Sequence, residues 1–446
     1  MKNEEFATAS AVLKNNTNMN TIINNNKKVR SVKMTMKWLG AAFFILHSSF
    51  FMSSCYNADK EFPDYEGGTT AYFAFQFPVR TLILGNDIYD NTLDNEHKCR
   101  IWSTMGGAYG GRNATVDFVV DPTLCDNLYF TDEGGNAAAQ VLPMPTEYYK
   151  LSTNAIPYNG DSRGYVEVQF TDAFFSDSLS AGNAYVIPLR MTKANGIDHI
   201  LSGTPREGLT PSRTNTDDWE VLAKDYVLYC VKYMNPWQGK YIRRGLDIIT
   251  ENEVVSRIVR KDTSLVNTDI EHYKTNPVNQ NDEICGITTK NMKQAIFPIG
   301  INIGSDQYGK RPSQICRLIL TFDGDKCVVS IDDPEVTVEG SGEFIVKGTQ
   351  KPEYKEYQWG NMNGQLLDRD ILRLAYSVNF KKGRVIGTRK EKKGTKEVEV
   401  DWILENDVHV STNDTLVIQT RESNKREFFS PKYVKIQEGT ETPTEE

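Results

Sequence analysis

The sequence predicts an all-β protein: an N-terminal immunoglobulin-like β-sandwich, then an antiparallel β-barrel of lipocalin-like type or a second β-sandwich. Three observations predict it. Apolar and polar residues alternate with period two in one short run after another. The runs are bounded by Gly, Asn, Asp and Pro, the residues that turn a chain. No stretch of eleven residues in the first half carries a clean helical stripe.

The N-terminus reads as an export segment over residues 1–54. Lys33 and Lys37 precede an uncharged run of 15 residues, Trp38 to Met52, too short for a comfortable membrane span. The run ends in Ser53, Ser54 and Cys55. Small residues before a cysteine resemble a bacterial lipobox, which implies acylation of Cys55 and anchorage by lipid alone. Residues 1–33 are Asn-rich without folding periodicity, and Met34 and Met36 both stand at signal-peptide distance from the cysteine, so the true start is open. Residues 55–69, polar with paired glycines, read as a lipidated tether.

The first domain is expected over 70–234. "TAYFAFQF" opens it at Thr70. In "ATVDFVV", Val116, Phe118 and Val120 share a face. In "YVEVQF", Val166, Val168 and Phe170 oppose Glu167 and Gln169. "TDAFFSDSLSAG" reads as one short helical turn. "NAYVIPLRM" and "DYVLYCVKYM" close the set. Near residue 235 the texture changes to "MNPWQGKY", and the boundary is placed between Tyr233 and Tyr241.

The second domain is expected over 235–436, with an acidic disordered tail at 437–446. "ICRLILTFDGDKCVVSID" is a hairpin pattern with Asp323–Gly324 at its turn. "DILRLAYSVNF" turns Leu372, Leu374, Tyr376, Val378 and Phe380 to one face. "KEVEVDWILEN" repeats the alternation with Trp402. Strands in series without crossover helices pair antiparallel, and closure into a barrel removes exposed edges.

The chain carries 51 Lys and Arg against 59 Asp and Glu, net −8. Residues 1–54 hold seven basic and two acidic residues, so their removal leaves about −13. Such a charge excludes a nucleic-acid partner as an expectation. Cys99, Cys125, Cys230, Cys285, Cys316 and Cys327 are widely spaced. With five histidines in the chain they suggest no zinc site. A Cys316–Cys327 bridge across the hairpin is one open possibility.

No metal site and no cofactor are expected. The weak exception is a calcium loop at Asp87, Asp90, Asp94 and Glu96, which lacks the EF-hand spacing. "GGAYGG" at Gly106–Gly111 lacks the ending of a phosphate loop. No G-x-S-x-G or H-E-x-x-H occurs, and 59 acidic residues make any carboxylate pair uninformative, so no catalytic residue is assigned. Sugar binding needs flat aromatic faces beside hydrogen-bonding groups. Loop-like Trp359, with Tyr357 and Asn361, is the first candidate. Trp237, beside Asn235 and Gln238, is the second. Trp102 and Trp402 lie within strand patterns and read as core; Trp219 is undecided.

"AYFAFQFPVRTLILGND", "DNEHKCRIWSTMGGAYGGRNATVDFVVDPTL" and "YVIPLRMTKANG" resemble the Bacteroidetes lipoprotein domain DUF1735 over about Gly68 to Tyr233. "GSGEFIVKG" and "RDILRLAYSV" resemble the β-domains that follow it. The resemblance implies a lipid-anchored outer-membrane protein facing the cell exterior, of the kind encoded in polysaccharide-utilisation clusters. It implies a polysaccharide or oligosaccharide as ligand, and a TonB-dependent transporter or other outer-membrane lipoproteins as neighbours. An adhesin-like or structural partner of an outer-membrane complex is the alternative, and a glycoside hydrolase is third.

Overall fold

The computed structural model describes residues 64–87, 89–260, 283–357, 367–422 and 427–435. The alternating runs of the first half form two packed sheets. The main strands are β1 (Thr70–Tyr72), β2 (Pro78–Ile83), β3 (Lys98–Gly106), β4 (Thr115–Val120), β5 (Tyr149–Leu151), β6 (Ala155–Pro157), β7 (Arg163–Phe170), β8 (Tyr185–Asn195) and β9 (Tyr226–Met234). One sheet runs His199–Ile200, β1, β3, β7, β5; the other runs Glu427–Phe428, β2, β9, β8, β4, β6. Most neighbours are antiparallel, but β9 pairs with β2 in parallel. The expected helical turn is present as Asp172–Ser176.

The inner faces meet in one core, with Ile101, Val166, Val168, Phe170, Ile187, Leu189 and Val231 all buried. The second sheet is buried on its outer face as well. Val186, Leu228 and Cys230 pack there against Leu124, Leu128, Phe130, Trp219 and Phe429. That double burial explains why "YVIPL" and "YVLYCV" are nearly continuous apolar runs. Among the described residues nothing comparable covers the outer face of the first sheet, and Trp102 stands there 45% exposed.

The start of the domain is more tightly held than a tether. The Asp198 carboxylate accepts from both the backbone N–H and the hydroxyl of Thr69, at 2.7 and 2.8 Å. Asp64 pairs with Arg112 and accepts from the Tyr109 N–H. Residues 64–69 therefore belong to the sandwich, and 55–63 lie outside the described residues.

The second half closes into a barrel. Its strands are β10 (Gly239–Glu251), β11 (Val254–Arg260), β12 (Glu283–Asn291), β13 (Gln294–Ile301), β14 (Gln314–Asp323), β15 (Lys326–Ile331), β16 (Val336–Ile345), β17 (Ile371–Phe380), β18 (Val385–Lys393), β19 (Lys396–Ile403) and β20 (Val408–Thr420). Sequential antiparallel pairing runs β10, β12, β13, β14, β15, β16, β17, β20, and β20 pairs back onto β10 from Thr250–His409 to Lys240–Thr420. β11 and β12 pair with successive halves of the same edge of β10. The predicted barrel is thus the form adopted, not the second sandwich. Gly324, at φ +60°, begins the two-residue turn between Asp323 and Lys326.

The interior is filled by side chains. Phe297, Leu318, Leu320, Phe322, Leu372, Leu374, Tyr376, Phe380 and Leu416 form its core. The two glycines of "GSGEF" are dictated by this packing: a Cβ at Gly340 would lie 2.3 Å from the Tyr376 Cβ. Arg243 shares the inward phase of Tyr241, so it is fully buried. It donates to Asp414 at 3.0 Å, to Glu283 at 2.9 Å and to the Tyr376 hydroxyl at 3.0 Å, which compensates its desolvation. Among the described residues β18 and β19 pair only with each other, as a hairpin beside the barrel and not as staves. From that hairpin Trp402 returns to the core.

The barrel ends at Thr420, short of the expected 436. Glu427–Phe428 and Pro431–Tyr433 return to the sandwich, pairing with β2 and with Leu128–Phe130. The last main strand of the sandwich, β9, ends at Met234, and the first strand of the barrel, β10, begins at Gly239. Six buried cysteines are free. Cys327 pairs across the hairpin with Phe322, which leaves Cys316 about 20 Å along β14, beyond disulfide reach.

Candidate functional site

β3 and β7 pair so that Tyr165 lies directly opposite Trp102. Their neighbours Ile101 and Val166 point into the core, so both rings point to solvent. The ring centroids are 4.7 Å apart with planes tilted by 48°. The Arg163 guanidinium lies over Trp102 at 5.5 Å, and that of Arg100 over Tyr165 at 4.5 Å. The result is a strip in the order Arg163, Trp102, Tyr165, Arg100. Tyr165 is 36% exposed. Each cation over a ring face is an attraction of about 0.5–1 kcal/mol at an exposed site, enough to orient the guanidinium without hiding its N–H edge.

The strip's carboxylates are already engaged. Glu167 lies 3.5 Å from Arg100 and 3.8 Å from Lys98. Asp161 accepts the backbone N–H of Arg163 at 3.2 Å, and backbone hydrogen bonds from Arg163 and Ser162 hold its carboxyl below the usual carboxylate range. A sugar-cleaving acid needs the opposite shift, toward neutrality at working pH.

The sequence assigned Trp102 to the core; the structure places it outside. The signal was present, because Trp102 is in phase with Lys98 and Arg100, while Cys99 and Ile101 carry the apolar phase. Trp237 moves the other way. It is 9% exposed and stacked on Phe322 within the barrel core, so it offers no free ring face to a sugar. Its companions are structural as well. The Asn235 amide donates to the carbonyls of Asn291 and Gln294, and Gln238 accepts from Thr289. Trp219 is buried, its indole N–H on the Ser212 carbonyl. Trp359, Asn361 and the side chain of Tyr357 lie outside the described residues.

The acidic loop is dispersed. Asp94 is fully buried, paired with Arg80 and accepting the Ile83 N–H. Asp90 accepts from Thr92, and Glu96 binds Lys98. Asp87 acts on the Arg421 charge. Among the described residues no group of three His, Cys, Asp or Glu is placed to hold a metal ion.

A groove of about 830 Å³ crosses the outer face of the barrel, with Lys326, Ser341, Glu343, Arg373 and Asn413 in its lining. Four of its charges form a cross-strand ladder, Asp323 opposite Lys326, Lys326 opposite Glu343, Glu343 opposite Arg373, and Arg244 and Asp414 line it as well. Alternating signs compensate one another there without a ligand. Among the described residues no aromatic ring lines the groove.

Comparison with known proteins accords with both halves. The model for a domain of unknown function, DUF5627, matches residues 236–422, and a model for an N-terminal domain matches residues 65–198. A crystal structure of a protein of unknown function from Bacteroides ovatus is 35% identical, covering 83% of this chain and all of its own, with a TM-score of 0.65.

The chain belongs to this two-domain Bacteroides family.

The DUF5627 match coincides with the barrel, and the N-terminal match lies within the sandwich that carries the strip. A multidomain protein including DUF1735 from Bacteroides ovatus is 12% identical over 81% of this chain and 99% of its own, at a TM-score of 0.34. An auxiliary nutrient binding protein from Bacteroides thetaiotaomicron VPI-5482 is 10% identical over 76% of this chain and 89% of its own, at 0.29. At these scores neither likeness carries an argument. Comparison with curated proteins gives no match.

Proposed function

We propose that this protein is a saccharide-binding lipoprotein, anchored through Cys55 at the outer membrane and facing the cell exterior. There it captures polysaccharide for a neighbouring TonB-dependent importer. One observation supports the reading above the others: the solvent-facing Trp102–Tyr165 pair on the uncovered sheet. Sugar rings present C–H patches that stack on such aromatic faces, and guanidinium N–H groups at each end supply hydrogen bonds to hydroxyls. Binding without hydrolysis is favoured because the strip's carboxylates are committed to Arg100, Lys98 and backbone N–H groups. Trp359, with Tyr357 and Asn361, is retained as a second proposed contact set, on its loop-like sequence alone.

Affinity electrophoresis in gels cast with plant, algal, fungal and host polysaccharides tests the reading, with product analysis alongside. Retardation by at least one glycan without new reducing ends is expected. Trp359→Ala is expected to weaken binding by about 1–3 kcal/mol with the fold intact. Migration unaffected by every glycan, with co-purification of another surface protein, would favour a structural partner instead.

A further inference from the structure

We infer that the strip selects acidic saccharides, chains bearing carboxylate or sulfate groups; this rests on the saccharide-binding reading above. The argument is one of charge on a single sheet face. Lys98, Arg100 and Arg163 project from β3 and β7 on the outward phase, and exposed Lys150 lies opposite Gln169 on β5. The carboxylates on or beside that face are Glu96, Glu167 and Asp161. Glu96 and Glu167 both serve Lys98, and Glu167 is shared with Arg100 at a loose 3.5 Å. Asp161 is held by backbone N–H groups. Among the described residues, no carboxylate lies within ion-pair distance of the Arg163 guanidinium, which faces the Trp102 ring, and Asp161 acts on its charge from further off.

A protein of net charge −8 thus presents a locally cationic face around two exposed rings. Neutral sugars use the rings and single hydroxyl hydrogen bonds, and leave the paired donors of two guanidinium forks half used. Arginine matches carboxylate and sulfate oxygens with paired N–H donors, and such charge-assisted bonds are about twice as strong as neutral ones. Both forks are pre-set against aromatic faces, so little side-chain freedom is lost when an anion arrives. The Cα atoms of Arg100 and Arg163 stand about 14 Å apart, from strand rise and spacing. The strip therefore takes an oligosaccharide carrying more than one acidic group rather than an isolated acidic monosaccharide.

Isothermal titration of the purified protein against three matched arms tests this: oligogalacturonate, its carboxyl-reduced neutral counterpart, and a sulfated galactan oligosaccharide. A wider panel of alginate, glucuronoxylan and chondroitin sulfate accompanies them. At least one acidic arm is expected to bind about tenfold or more tightly than the neutral arm, with the advantage shrinking as salt is raised. The better of the carboxylate and sulfate arms identifies the source of the anion. Arg163→Gln should abolish most of the advantage while weakening neutral binding far less, since the amide can still donate a hydrogen bond to a hydroxyl. Trp102→Ala should weaken every arm. Equal or tighter binding of neutral saccharides, or an acidic preference untouched by Arg163→Gln and Arg100→Gln, would overturn the inference while leaving saccharide binding standing. Failure of all acidic and neutral glycans to bind the folded protein would overturn both.

Discussion

Trp237 lies flat on Phe322, with ring centroids 3.7 Å apart and planes 6° from parallel. Its carbonyl accepts the Tyr241 hydroxyl at 2.6 Å, and its N–H donates to Asn235. The tryptophan joins the segment linking the domains to the barrel interior. Trp237→Ala is expected to cost about 3–5 kcal/mol of stability, the usual range for an emptied aromatic site. Denaturant unfolding measures it. Saccharide affinity should be unchanged at temperatures where the variant is folded.

The boundary depends equally on Asn235, which is fully buried. One amide donates to two carbonyls of the barrel and accepts the N–H groups of Trp237 and Gln238. Arg421 donates to the Asn235 carbonyl at 2.7 Å and to Leu84 and Asn86 in the sandwich. Asn235→Ala strands several buried partners, so a loss of about 2–3 kcal/mol is expected. Proteolysis at the interdomain segment should quicken in the same variant.

Asp306 sets an acid-sensitive point near the barrel end. Burial by itself would raise its carboxyl. Hydrogen bonds from the Trp402 indole, the Tyr308 N–H and Arg311 outweigh that and hold it below the ordinary value. A depressed carboxylate contributes stability that is fully present above the unfolded value, about 3.9, and is lost as pH falls through the lower folded value. Wild-type stability should therefore fall below about pH 4, with Asp306→Asn giving a shallower acid slope in urea titrations at stepped pH.

The six buried thiols are expected to be inert. Burial pushes Cys99, Cys125, Cys230 and Cys327 up to about 12, and Cys316 to about 11. In a protein lacking Cys55, a thiol reagent at mild alkaline pH should label none while native and all six in denaturant. Masses indicating a Cys316–Cys327 bridge would contradict the hairpin register.

Much of the architecture was legible because strand periodicity is a direct consequence of one-sided burial. "DILRLAYSVNF" assigned the inner face of β17 correctly, and the turn at Asp323–Gly324 fell where φ had to be positive. Barrel closure was less visible, since it depends on β20 meeting β10 across more than 150 residues. The site was harder still. Trp102 lies within a strand pattern and on that ground reads as core, although its phase matches Lys98 and Arg100. Tyr165 gave no signal alone, because its partner is set by cross-strand register. Trp237 looked like a loop aromatic from its Pro and Gly neighbours, whereas the loop folds inward to close the barrel.

The most direct measurement is the saccharide affinity of Trp102→Ala beside that of the wild type, by titration with whichever glycan retards the wild-type protein most. The account predicts a loss of about 1–3 kcal/mol in binding, with stability lowered only by the roughly 1 kcal/mol of the exposed ring contacts, because the ring faces solvent and is not a core member. Wild-type affinity in a folded Trp102→Ala protein would contradict the account.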